Sequence, residues 1–544
     1  MKSEIVTKLI ELGFLVSPDF VDFINDDVLE LIKKKSKSDG PIVLNADLWK
    51  VIKDKDLPGL NWLEFDRARA IYEKGRDGKV YSSFLDMMCV KKEIVILDGV
   101  QDLENLEQTI EQRIIGQTKQ KDLVTGNVTV LKSCDVQGKK RDLSDFVCFF
   151  KSRYESLSQI LQSRENLKNI VSINKLYNRK DKDLISVIGI VFEKKLTKNG
   201  HFIIKIEDLT GPIDILVNKD NKELVEICND LVLDEVIGVN GVMGDRIIYS
   251  KEIIYPDISI SNEFKKINED VHVVFTADLH IGSKDFYKED FLKFIDWLNC
   301  KGGNEQQKEV ASKVKYLFIV GDLVDGIGIY PGQEDELGIV DVCEQYNECY
   351  ELLNLIRKDV QIIICAGNHD AVRLAEPQPV LDKKYAGKLY ELTNATFVTN
   401  PSIVNINSTS NFIGFNILLY HGYSFIYYGN NVNSIRVNGG VSRPDLIMKF
   451  LLQRRHLAPT HASTMYVPDD KDYLVIDKVP DFFVSGHLHK TSVTNYRNVT
   501  MIGCGCWVGQ TPYQAKFGVI PDPSRISLVN LKTRDVKILK FGGK

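Results

Sequence analysis

Imidazole, carboxylate and amide side chains of metal-ligand type recur at five places along the chain. Asp278 and His280 stand in TADLH, Asp322 and Asp325 in GDLVD, and Asn368, His369 and Asp370 in GNHD. His421 stands in LYHG, and His487 and His489 in GHLHK. Of nine histidines, these runs hold five; the others, His201, His272, His456 and His461, have no comparable context and read as ordinary core or surface residues. Each run alone has a bland explanation: Asp-x-His as a strand-end cap, GDxxD as a turn and helix cap, GHLH as a buried pair. Five such endings in one chain, all built from metal-ligand residue types, do not arise by accident at any useful rate. Mixed imidazole and carboxylate donors suit manganese, iron or zinc better than magnesium or calcium, which prefer all-oxygen cages. Seven donors are more than one ion uses, whereas two ions about 3.5–4 Å apart with a bridging carboxylate use them all. Such a pair holds a phosphoryl group, lowers the pKa of a bound water and steadies charge on the attacking and leaving oxygens. A neighbouring imidazole that is not a ligand can protonate the leaving oxygen. On this reading Asn368 is a neutral oxygen donor, His369 is the acid, and Asp370 stands behind them.

The elements that must position these residues are also visible. VHVVFTADLH, VKYLFIVGDLVD and VQIIICAGNHD are apolar runs that each end in the polar residues named above, and NILLYHG and DFFVSGHLHK repeat the arrangement. Helix-like stretches separate them, including KEDFLKFIDWLNC and VCEQYNECYELLNLIRKD. Apolar strands alternating with helices imply a largely buried α/β sheet, and chemistry in such sheets collects past the carboxyl ends of the strands.

The 544 residues are too many for a single core, so several domains are expected. A formal net charge of −5 gives no global basic signal, so any nucleic acid would meet a local patch or a metal site. Residues 1–75 read as a small helical docking module. MKSEIVTKLIELGFLV has the pattern of an amphipathic helix and not of a signal peptide, and Ser17-Pro18 is a helix start. Residues 76–140 are polar and Gly-rich and read as a flexible linker. Residues 141–265 read as a helix followed by a five-stranded OB-type β-barrel, from short β-branched runs cut by Gly with a helix-like DNKELVEICNDL before the fourth. In the helix, Leu143, Phe146, Val147, Phe150, Tyr154, Leu157 and Leu161 form the expected buried stripe. Residues 266–544 hold the candidate site. No apolar run reaches the roughly 18 residues of a membrane span. The ten cysteines are scattered with no CxxC pair, and Cys504 and Cys506 are expected on alternating faces of a strand; a reduced, cytoplasmic setting fits.

DxH, GDxxD, GNHD, H and GHxH in this order resemble the calcineurin-like metallophosphoesterase superfamily, and the C-terminal domain is then expected to be an αββα phosphoesterase. The resemblance implies one metal on Asp278, His280 and His489 and a second on Asn368, His421 and His487. It also implies Asp322 between them, His369 as catalytic acid, and Asp325 orienting the second motif from outside. The whole multidomain α+β order, helical N-terminus, linker, barrel and phosphoesterase domain, is similar to the small subunits of archaeal family D DNA polymerases. GKKRDLSDFVCFFKSRYESL, LLQRRHLAPTHAS and GQTPYQAKFGVIPDPSRISLVNLKT carry that likeness as well. It implies a divalent-metal 3′–5′ exonuclease, with manganese the leading cation and iron, zinc or magnesium as alternatives. Its partners would be a large catalytic polymerase subunit and a DNA 3′ end, with no membrane. Superfamily protein phosphatases have Arg after GDxxD and Glu after GNH; Gly326 and Asp370 stand here, which argues against a phosphoprotein substrate. A stand-alone phosphodiesterase or phosphatase and a non-catalytic polymerase scaffold are the competing readings. RRH at 454–456 and Lys490 read as surface charge, or else as phosphate contacts.

Overall fold

A computed structural model describes residues 2–11, 14–16, 24–25, 28, 42–44, 127–134, 138–177, 184–510, 514–515 and 520–542. The chain divides into two units, Met1–Gln120 and Lys121–Lys544. The first unit contains the helix Lys2–Glu11, which buries Ile5 and Leu9, one turn apart on one face. Strands β1 (Phe14–Val16) and β2 (Ile42–Leu44) pair in parallel, so this module is not purely helical. The helix expected from Ser17-Pro18 and most of the linker expected at 76–140 lie outside the described residues.

The second unit opens inside that expected linker with a strand, β3 (Val128–Lys132). The helix Leu143–Gln162 follows, started by a capping box between Asp142 and Asp145. Its buried face is Phe149, Arg153, Leu157, Ser158 and Leu161, not the full stripe read from the sequence. Phe146 and Val147 are exposed. The face is rotated because Arg153 turns inward to pair with Asp472 at 2.7 Å while Phe149 stacks on Tyr466 at 4.9 Å. Strands β4 (Leu184–Leu196), β5 (Phe202–Asp208), β6 (Gly211–Val217), β7 (Val236–Met243) and β8 (Ile247–Ile254) close into a barrel in the order β4-β5-β6-β8-β7. The helix Lys222–Asp230 crosses between β6 and β7, as expected for an OB-type barrel. Alternating burial along β5 and β6 points Ile204, Ile206, Ile213 and Ile215 into the barrel core.

The rest of the unit is an αββα sandwich. One six-stranded sheet contains β9 (His272–Thr276), β10 (Val314–Val320), β11 (Gln361–Cys365), β12 (Ala395–Val398), β18 (Arg525–Asn530) and β19 (Val536–Lys540). The other contains β13 (Ser402–Ile406), β14 (Phe415–Leu419), β15 (Phe482–Ser485), β16 (Ser492–Tyr496), β17 (Val499–Gly503) and β3. The sheets share an apolar core of Phe275, Phe318, Phe415 and Phe482 among others. Helices Lys288–Leu298 and Val342–Asn354 cover the first sheet, and Phe425–Asn431 and Pro444–Arg454 the second. The edge strand β3 pairs antiparallel with β13, so a segment that precedes the barrel completes the second sheet. The second sheet therefore takes strands from both sides of the barrel in sequence.

Candidate metal centre

All five runs converge on one edge of the sandwich. Strands β9, β10 and β11 are parallel neighbours, so their carboxyl ends deliver Asp278, His280, Asp322, Asp325, Asn368, His369 and Asp370 side by side. Strands β14 and β15 are parallel neighbours in the facing sheet and deliver His421, His487 and His489 across the gap. The chain turns sharply at three of these endings. Asp278, His280, Asp322, His487 and His489 have φ of 55, 51, 51, 67 and 55°, a left-handed conformation that costs a non-glycine residue about 1 kcal/mol or more. Cross-strand bonds hold these turns: Asp278 N–H donates to Gly321 O at 3.0 Å and His280 N–H to Asp322 O at 3.1 Å. At Gly367 a Cβ would fall 2.1 Å from Asp322 Oδ1, so only glycine lets the third motif approach the second.

Two donor groups result. In one, His280 Nε2 lies 3.1 Å from His489 Nε2, and His489 Nε2 lies 3.4 Å from Asp278 Oδ1. In the other, His421 Nε2 lies 3.1 Å from both Asp322 Oδ2 and Asn368 Oδ1, with His487 alongside. Asp322 Oδ2 is also 3.8 Å from His280 Nε2, which puts it between the groups. Every predicted donor is buried or half-buried in this cluster. The four other histidines lie elsewhere, each with its own partner: His201 with Lys219, His272 with Val310, His456 with Asp472 and His461 with Asp234.

The tautomers decide what the cluster wants. His280 Nδ1–H donates to Asp325 Oδ1 at 2.9 Å, and His421 Nδ1–H to the Val320 carbonyl at 2.8 Å. Both rings therefore turn a bare Nε2 lone pair toward oxygens and other imidazoles. His487 Nε2 is buried with no hydrogen-bond partner. Lone pairs facing lone pairs and carboxylates are stable only around cations, so the donor set fits divalent metals. Proton affinities express the same demand. Burial opposes charge on His421, yet Asp322 and Asp278 carry its pKa up to about 9. Burial opposes ionisation of Asp322 too, but His421, His369 and His280 hold it well below the usual carboxylate range. Burial and the neighbouring Asp322 push Asp370 up to about 7.

His369 stands at the rim with its side chain 15% exposed. Its N–H donates to Asp322 Oδ1 at 2.8 Å, and its Nδ1–H to the Asp325 carbonyl at 2.8 Å. That leaves Nε2 as the nitrogen able to exchange a proton. The Asp325 carboxylate orients His280 of the first motif, where the resemblance implied that it serves the second. Gly326 sits at φ 72° with a Cβ position 2.3 Å from the His369 carbonyl, so an arginine cannot occupy this turn.

Several residues escaped the sequence reading. Gln333 Nε2 donates to Asp325 O at 2.8 Å and Oδ2 at 3.1 Å. The Tyr423 ring packs at a tilt against His487, centroids 5.5 Å apart and planes 50° to each other. Gln514 Nε2 reaches His489 Nδ1 at 2.9 Å. Glutamines and tyrosines are common everywhere, and only the fold brings these to the centre. Two expectations are corrected. Arg454, Arg455 and His456 are buried, neither surface charge nor phosphate contacts: Arg454 pairs with Glu235 of the barrel at 2.6 Å, and Arg455 Nε–H donates to the Ile476 carbonyl. Cys504 and Cys506 do not alternate along a strand; β17 ends at Gly503 and both thiols are buried and unpaired, as are most of the described cysteines. Among the described residues no helix is long and apolar enough to cross a membrane.

Residues 271–491 match the calcineurin-like phosphoesterase family. The chain is 39% identical over 401 residues to the DNA polymerase II small subunit of Methanothermobacter thermautotrophicus, covering 74% of this chain and 80% of that one. It is 38% identical over 437 residues to the DNA polymerase II small subunit of Methanocaldococcus jannaschii, covering 79% and 70%. With the Archaeoglobus fulgidus protein of the same name it shares 36% over 414 residues, covering 75% and 80%. With a phosphoesterase sandwich, a closed barrel and this breadth of identity, the chain belongs to the DNA polymerase II small subunit family.

Proposed function

We propose that the chain is the nuclease subunit of a heteromeric replicative DNA polymerase, a 3′–5′ exonuclease that removes misincorporated nucleotides for a separate large subunit. The observation that carries this reading is the set of buried imidazole lone pairs facing Asp278 and Asp322. Asp278, His280 and His489 would hold one cation, Asn368, His421 and His487 the other, with Asp322 serving both. The mixed nitrogen and oxygen donors suit manganese, with iron, zinc or magnesium as alternatives. Bound there, divalent cations lower the pKa of water and neutralise phosphoryl charge.

The residues of the chain do the remainder. Asp325 and the Val320 carbonyl keep His280 and His421 in the ligating tautomer. His369, with Nδ1 committed to the Asp325 carbonyl, presents Nε2–H to the departing oxygen. In the reaction a water oxygen bonds to phosphorus and gives up its proton to solvent, the bond from phosphorus to the 3′ oxygen of the penultimate nucleotide breaks, and that oxygen takes the His369 proton, which solvent restores. The products are a nucleoside 5′-monophosphate and a shortened strand with a free 3′ hydroxyl. The turn at Gly326, closed to an arginine, fits a diester better than a phosphoprotein.

The test is an assay with manganese on a 5′-labelled primer–template carrying a 3′ mismatch. Wild-type chain should give a ladder of shortened primers, and Asp322→Asn and His369→Ala should give none. Intact primer with wild-type chain, alongside turnover of a chromogenic phosphodiester, would instead make the chain a small-phosphoester enzyme. Intact primer without metal uptake would leave a scaffold.

A further inference from the structure

The mechanism assigns no task to the Val342–Asn354 helix, yet two adjacent side chains on it reach into the centre. Gln345, fully buried, accepts from Gly326 N–H at 2.9 Å through Oε1, and its Nε2–H donates to Gly326 O at 3.0 Å and Ile339 O at 2.8 Å. Tyr346, 1% exposed, donates its hydroxyl to Asp370 Oδ1 at 3.1 Å and accepts from Ala371 N–H at 2.9 Å. Asp370 Oδ2 in turn accepts from Gly367 N–H at 2.8 Å and Leu323 N–H at 3.4 Å, which ties the second motif to the third. Gly326 follows Asp325, whose carbonyl accepts from His369 Nδ1, and Asp370 follows His369 itself. The helix thus holds the Asp370 carboxyl and the Ala371 N–H just beyond the imidazole, and the Gly326 backbone one residue beyond the carbonyl that fixes its rotation.

We propose that Gln345 and Tyr346 are positioning residues that set the reach of His369 Nε2 without touching substrate. The inference rests on the reading of His369 as the acid. Each bond alone is modest, but both ends of the His369 Nδ1–Asp325 contact are held by one element, and a misplacement of about 1 Å can cost on the order of 100-fold in rate.

A leaving-group comparison tests this with the full-length chain and manganese. Thymidylyl-(3′→5′)-thymidine expels an alkoxide that needs a proton, whereas bis(p-nitrophenyl) phosphate expels a nitrophenolate that does not. Tyr346→Phe removes one oxygen and keeps the ring, and Gln345→Leu keeps the volume. Each should lower kcat on the dinucleotide by roughly tenfold or more with KM unchanged, while aryl-ester turnover stays within about twofold. Adding either change to His369→Ala should cost the dinucleotide reaction nothing further. Equal losses on both substrates, or full additivity with His369→Ala, would overturn the positioning role and leave the site's function standing. A wild-type chain inert on both substrates would overturn the phosphodiesterase reading itself. Should Gln345→Leu not fold, Tyr346→Phe decides alone.

Discussion

At the scale of the residue, burial and local charge decide which protons stay. Glu376 is fully buried, with Oε2 accepting from the Tyr420 hydroxyl at 2.9 Å and Oε1 unpartnered, and burial raises its pKa from 4.5 to about 7. A carboxyl whose folded pKa is raised binds more protons folded than unfolded across that window. Its contribution to stability is therefore present below 4.5 and lost as pH climbs to about 7. At about 1.4 kcal/mol per pH unit the loss is roughly 3 kcal/mol. Glu376→Gln should thus gain melting temperature on wild type steadily between pH 4.5 and 7 and hold the gain above it. A difference that stays flat in pH-dependent thermal melts would refute the assignment. The metal donors supply a second prediction. Without a cation the carboxylates recruit protons, and His421, raised from 6.5 to about 9, stabilises the empty centre only until pH rises through that range. Manganese should therefore raise the melting temperature more at pH 8.5 than at pH 6, and chelation should reverse it. An equal shift at both values would mean that cation and proton do not compete for these nitrogens.

At the scale of the element, the Leu143–Gln162 helix carries one buried ion pair beside its buried Phe149, Leu157 and Leu161. Arg153 Nε meets Asp472 Oδ2 at 2.7 Å, both side chains nearly inaccessible, and Asp472 also meets His456 at 2.8 Å. Burial drives the His456 pKa down to about 4, so this network carries one cation and one anion at neutral pH. Removing one member of a buried pair strands the other, at a cost of about 3–5 kcal/mol. Arg153→Ala should destabilise the chain by that order in urea unfolding, and Arg153→Met with Asp472→Leu should recover much of it. A loss below about 1 kcal/mol for the single variant would show that water reaches the site. The helix itself was legible as amphipathic. Its rotation was not, because a periodic pattern of apolar residues does not reveal that an arginine on the same face has a buried partner 319 residues away.

At the scale of the whole molecule, the barrel is framed by the sandwich. β3 and the helix that follows precede the barrel in sequence yet pack with the phosphoesterase domain, through pairing with β13 and contact with Asp472. Glu235 and Asp234 of the barrel bind Arg454 and His461 of the phosphoesterase domain. A chain trimmed to start at 127 should keep the melting temperature of this unit, whereas one trimmed to start at 138 loses β3, bares the β13 edge, and should melt several degrees lower and aggregate. Equal melting of the two trimmed chains would mean that β3 is an accessory to the sheet.

What the sequence by itself determined is the donor set. Imidazole, carboxylate and amide side chains at five strand ends supply the ligand types of a mixed-donor cation site, because donor type is a property of each residue. The five-stranded barrel and a buried α/β sheet were legible for a similar reason, since strand and helix periodicities are local, whereas the αββα order was implied by the resemblance of the motifs to a known superfamily. Tertiary structure alone decided which donors meet, as with His280 and His489, 209 residues apart, and which nitrogen each ring turns inward. It alone placed Arg454 and Arg455 in the interior, made a strand of a polar linker, and brought Gln345 and Tyr346 behind His369. Those outcomes depend on register and packing between segments far apart in the chain, and no local pattern encodes a distance between them.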